Sequence, residues 1–266
     1  MKPTGSLSFM PRPSSLCRME RYQVILAYDG SRFKGFQRQA GKWEALTVQD
    51  VVEKALRQLG WQGSAVLVAG RTDSGVHATG QVIAFDLEWR HSLDDLRNAL
   101  NANLPLDLAA RAVKLASPTF HPRYDALDRR YQYRLFSDEV RHPLRERYAW
   151  RVSPAVSLEP MQQATSPLLG THDFSAFGTS PRSGGTTVRT ITHAAWQGVG
   201  NDLVFEITGN DFLYHMVRRL VYLLVKIGQG EAAPEIVSRC LEGEDSLAPR
   251  GIAPPQGCTL VEVRYS

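Results

Sequence analysis

Tyr22–Tyr28 (YQVILAY) is a nearly unbroken apolar run that ends at Asp29-Gly30-Ser31, the pattern of a buried strand. Val48, Val51, Val52, Ala55, Leu56 and Leu59 then recur at helical spacing. Thr47 stands as their N-cap, Asp50 occupies a capping-box-like position, and Gly60 ends the helix. Two β-patterned runs follow, Ala65–Ala69 and Gln81–Asp86. Ser92 with Asp95 opens a second helix carrying Leu93, Leu96, Ala99 and Leu100, and Asn103-Leu104-Pro105 stops it. A fourth strand covers Leu108–Leu115. The order β-α-β-β-α-β is the ferredoxin-like pattern and predicts an antiparallel sheet with helices on one face.

The second half repeats that order. Arg130–Phe136 alternates as a strand, Ser157 caps a helix through Leu169, and strands follow over Thr186–Trp196 and Leu203–Thr208. A long helix is predicted over Asp211–Ile227, a shorter one over Pro234–Leu241, and a closing strand over Thr259–Tyr265. The repeat lies in element order alone. Pro118–Asp125 and Leu144–Pro154 are the segments between halves. The expected architecture is α+β: a first domain over 21–125, a second over 126–266, and a tail over 1–20. The tail has three prolines and four serines but no continuous apolar segment of a signal peptide. It reads as disordered, or as an overlong start with Met19 as initiator. Phe212–Ile227 is interrupted by His215, Arg218, Arg219 and Lys226, which argues against a membrane span.

Composition narrows this only a little. Of 266 residues, 31 are Lys or Arg and 27 Asp or Glu, a net charge of +4 that permits a polyanionic partner without demonstrating one. The three cysteines, Cys17, Cys240 and Cys258, form no CxxC pair. They suggest neither a disulfide framework nor a structural zinc site, and a reducing compartment, the cytoplasm, is the natural reading.

The chemistry concentrates in Gly70-Arg71-Thr72-Asp73-Ser74-Gly75-Val76-His77, a polar loop between two strands. Glycines at 70, 75 and 80 allow positive φ or close approach of a ligand. Arg71, two residues from Asp73, can pair with that carboxylate and present it for nucleophilic work. The plain alternatives are an Asx-turn aspartate, a solvated surface arginine and a hydrogen-bonded structural His77. Upstream, Arg32, Phe33, Lys34, Phe36 and Arg38 interleave aromatics and cations, which suits RNA and equally a solvated basic turn.

Arg71–Val82 (RTDSGVHATGQV) closely resembles the R-T-D-x-G-V-H-x-x-G-Q-V signature of the tRNA pseudouridine synthase A family. Arg129–Arg134 (RRYQYR) resembles its R-x-Y-x-Y segment, and Asn210–Arg218 (NDFLYHMVR) its N-x-F-x-x-H-M-V-R block. The resemblance covers nearly all of Tyr22–Tyr265. It departs at Ser74, where alanine is common, and at Cys258-Thr259-Leu260, where a more apolar run is usual. The resemblance implies the pseudouridine synthase fold and isomerisation of uridine at tRNA positions 38, 39 and 40, in the anticodon stem-loop. It makes Asp73 the essential nucleophile and Tyr131 the ring that stacks on the base and moves the C5 proton. Arg71 and Arg218 would hold Asp73 and backbone phosphate. Arg32, Lys34, Phe36, Arg38 and His77 would contact substrate. It further implies a homodimer and needs no metal, nucleotide or other cofactor. Attack at ribose C1′, attack at base C6 and glycal formation all stay open. Two rival readings use the same residues: a non-catalytic RNA-binding module, and a phosphate-ester hydrolase built on Asp73 and His77.

Overall fold

A computed structural model describes residues 18–38, 46–181 and 184–266. Most of the expected tail, residues 1–17 with Cys17 among them, lies outside the described residues. Met19 and Glu20 are not tail: they open the first strand, β1 (Met19–Tyr28), because they pair with Glu88 and Leu87. Helix α1 (Val48–Gln58) starts at Thr47, whose hydroxyl accepts from the Asp50 amide and donates to its carboxylate. The pair β2 (Leu67–Val68) and β3 (His77–Glu88) flanks the glycine-bounded loop. β2 is shorter than the apolar run suggested, and β3 longer. Helix α2 (Leu93–Asn103) has the full capping box of Ser92 and Asp95, and β4 (Leu108–Leu115) closes the half.

The second half runs β5 (Asp128–Ser137), β6 (Trp150–Val152), α3 (Leu158–Thr165), β7 (Gly170–Asp173), β8 (Val188–Val199) and β9 (Asp202–Gly209). It ends with α4 (Met216–Gly228), α5 (Ile236–Leu241) and β10 (Cys258–Arg264). β6 and β7 are additions that the pattern did not announce, and β6 falls inside the segment read as a connection. Ser157 precedes α3 but makes no side-chain cap. The larger difference is α4, which begins at Met216, five residues later than the apolar periodicity indicates. His215 sits at φ +68°, a left-handed conformation that breaks the helix. Tyr214 is tied instead to Thr179 by a backbone bridge, so 211–215 is a loop.

The described strands form one sheet of ten, in the order β4-β1-β3-β10-β5-β9-β8-β7, with β2 on β3 and β6 on β5. It is mostly antiparallel, and the fold is α+β. Each half has the ferredoxin-like order, β4-β1-β3-β2 and β10-β5-β9-β8. The halves meet where β10 lies parallel to β3, pairing Thr259 with His77 and Leu260 with Ala78. Gly80 makes this seam possible: a Cβ there would sit 2.2 Å from the Val261 carbonyl oxygen, and Val261 is the bulge of β10. Two hydrophobic cores lie along the sheet, and each borrows from the other half. Leu260 and Val263 are buried in the first, Val76 in the second, and Tyr131 packs against both. Burying one such aliphatic side chain contributes about 1.5–3 kcal/mol, so this exchange binds the halves together.

Candidate active site

The parallel seam brings the β2–β3 loop beside the middle of β5 and the start of α4. A cavity of about 480 Å³ opens there, within the usual range of ~300–1,000 Å³ for ligand sites. Arg71, Asp73, Tyr131 and Arg218 all line it, as do Lys34, Phe36 and Arg38.

The loop is held rigidly. Buried Gln81 donates to the Gly70 carbonyl at 2.8 Å. Tyr28 and Thr72 hydroxyls bond at 2.7 Å, the Phe36 amide donates to the Thr72 carbonyl, and the Gly75 amide donates to that of Phe33. Gly75 takes φ +79°, a turn conformation that a side chain would strain. Gly70 needs neither positive φ nor close approach: space for a Cβ is open there.

Asp73 is gripped from the other half of the chain. Arg218 Nη1 donates to Asp73 Oδ2 at 2.8 Å, while its Nε donates to the Ala253 carbonyl. His215 Nε2 lies 3.6 Å from the same oxygen. Oδ1 has no partner among the described residues. Burial holds His215 below the usual histidine range, with Arg218 and Arg219 acting the same way and Asp73 opposing. His215 is a site residue that the sequence reading passed over. It stood in the quoted block, but its left-handed backbone, which turns it to the cavity, has no spacing signature.

Arg71 does not pair with Asp73. It is exposed and has no ion-pair partner among the described residues, because the turn directs it away from its neighbour's carboxylate. Tyr131 is half-buried, its ring edge-to-face with Phe212 at 5.0 Å. Burial is the main cause that pushes its phenol far above the ordinary tyrosine range, so the hydroxyl is neutral. Cys258, on the same wall, is likewise raised by burial, to about 12, and stays a thiol.

The remaining expected contacts divide. Lys34 lines the cavity. Phe36 does so only from beneath: it is 1% exposed and, with Phe33, belongs to the first core. The aromatics of this loop are therefore packing residues, not a stacking surface. Arg38 is pinned to Asp50 and to the buried carboxylate of Glu53, which needs its charge. Arg32 lies outside the cavity and pairs with Asp107 at 3.3 Å. His77 is also outside, because the ladder takes its ring into the fold: the Gly30 amide donates to Nδ1 and Nε2–H donates to the Gln256 carbonyl.

The family model described as tRNA pseudouridine synthase matches residues 24–125 and 164–266. The chain belongs to this family of isomerases. It is 38% identical over 252 residues to a protein named tRNA pseudouridine synthase A from Limosilactobacillus fermentum, covering 93% of this chain and 96% of that one. Relatives with the same name come from Lactiplantibacillus plantarum, 39% identical over 250 residues (92% and 94% covered), and Streptococcus pneumoniae, 39% over 251 (93% and 99%). Among the described residues no helix is long and apolar enough to cross a membrane.

Proposed function

We propose that this protein isomerises uridine to pseudouridine in the anticodon stem-loop of tRNA, at positions 38, 39 and 40, with Asp73 as nucleophile. One observation carries the reading. The Asp73 carboxylate, in a nucleotide-sized cavity, has one oxygen fixed by Arg218 and the other without a partner among the described residues, with a tyrosine ring on the same wall. The reaction breaks N1–C1′, forms C5–C1′, returns a proton to N1 and releases the C5 proton. The target base must leave its stack, at a cost of a few kcal/mol. A face on Tyr131 returns about 1–3 kcal/mol of that. A free Oδ1 is suited to C1′ or C6, or to assisting glycal formation.

The neutral phenol of Tyr131 is first a stacking group. The C5 proton is acidified by the adjacent C4 carbonyl and by the conjugation its loss restores, and the phenol oxygen takes it only as its own hydroxyl proton passes on to water. Arg71 and Lys34, at the cavity, are assigned to RNA phosphate. The fold-bound rings of Phe36 and His77 are not assigned to substrate, and the ion-paired Arg32 and Arg38 serve the fold first. Membership of the family supports reading the chain as a cytoplasmic homodimer, and sedimentation of the purified chain tests the dimer.

Incubation with tRNA carrying tritium at uridine C5 is the deciding experiment. Tritium release that disappears in Asp73→Ala, with tRNA binding retained, is expected. Cleavage of the RNA would favour the hydrolase reading, and binding without release the passive module.

A further inference from the structure

Three guanidinium groups, from Arg123, Arg129 and Arg189, gather beside the cavity, and one carboxylate, Asp211, faces two of them, Arg123 and Arg189. Arg129 and Arg189 are 4% and 6% exposed. Arg129 donates to the carbonyls of Ala69, Arg123 and Asn210, and Arg189 to those of Thr186 and Val188. Both are thus fixed in place by backbone, and the Nε of each has no partner among the described residues. Arg123 has no side-chain partner other than Asp211 among the described residues.

Asp211 is a poor match for so much charge. It lies 4.0 Å from Arg123 and 3.9 Å from Arg189, beyond hydrogen-bond reach of either. Its carboxylate makes no hydrogen bond among the described residues, and its side chain is 37% exposed. Burial holds the Arg189 guanidinium below its usual range, and Arg123 and Arg129 push it the same way against Asp211. Buried cations without a well-seated counter-charge are costly. A fold that keeps two buried guanidinium groups and a half-buried third together beside a cavity is arranged for an anion. Arg123, Arg129 and Asp211 all line that cavity.

We infer that this cluster is a phosphodiester site for the RNA strand next to the flipped nucleotide, and that Asp211 stands in for the phosphate until RNA displaces it. The inference rests on the tRNA reading above. A phosphate carries the same sign of charge as Asp211, more acceptor oxygens, and the geometry that guanidinium groups bind best. The Asp211 amide is held by Asn210 Oδ1 at 2.8 Å, so the carboxylate swings aside without moving the loop.

The test compares tRNA affinity against salt for the full chain, Asp211→Asn and Arg123→Gln, with a melting curve for each. Asp211→Asn removes a competing negative charge, and about a threefold to tenfold tighter Kd at low salt is expected, with the melting temperature little changed. Arg123→Gln should weaken binding and reduce the salt slope by about one. Unchanged or weaker binding by Asp211→Asn overturns the inference, and so does its unfolding, which would make Asp211 a structural counter-ion. Failure of the isomerase reading is read separately, as absence of tritium release from the wild-type chain.

Discussion

Asp73 and Arg218 show how much a single contact decides. The guanidinium both fixes Oδ2 and bridges to the Ala253 carbonyl, so it sets the direction in which the free Oδ1 faces. Arg218→Lys keeps the charge but cannot span both acceptors, and kcat on saturating tRNA should drop on the order of 10²-fold. Asp73→Asn should cost at least about 10³-fold with Kd for tRNA nearly unchanged. Tyr131→Phe separates two roles. Retained turnover would confine Tyr131 to stacking, whereas the proton role requires tritium release to fail while binding persists. His77 carries a different prediction. Burial, foremost, lowers it, and the Gly30 amide donating to Nδ1 acts the same way, against the Asp29 carboxylate 3.3 Å from that nitrogen. The unfolded chain therefore takes up this proton first, near pH ~6.5. Its contribution to stability is complete above that value and falls as pH drops below it. His77→Asn should flatten this acid-side slope in urea unfolding.

At the scale of elements, the caps and starts of α1 and α2 were legible, while the cap expected at Ser157 and the onset of α4 were not. Thr47 and the Ser92–Asp95 pair read correctly because a cap is a local device of four residues. Thr47→Ala should lower stability by about 1 kcal/mol, a shift of roughly 2–4 °C in Tm, with kcat unaffected. The onset of α4 depends on a contact outside itself. Phe212 and Leu213 carry the apolar spacing of the helix, yet Tyr214 bridges to Thr179 and His215 turns left-handed. That displacement makes five residues into cavity wall. The short strand β7 was missed because its pairing with β8 supplies what its own sequence lacks.

Across the whole molecule, the site depends on a seam of two residue pairs between β3 and β10. Core exchange through Leu260 and Val76 keeps that seam in register. Gly80→Ala would press on backbone at Val261, and the strands must part to admit it. Turnover should fall at least tenfold while far-UV circular dichroism stays near wild type, because the halves persist and only their alignment is lost. Equal loss of both signals would place Gly80 in folding instead.

The chain's own pattern determined the β-α-β-β-α-β order within each half, the helix starts at Thr47 and Ser92, and the loop that presents Asp73. These depend on neighbours within a few positions, where side-chain type and spacing carry the physics. Which cation holds Asp73 was decided only in three dimensions. Arg71 is two residues away and turns elsewhere, and Arg218, 145 residues distant, makes the bond. Strand register and the displaced start of α4 place that guanidinium, and neither is written in local spacing.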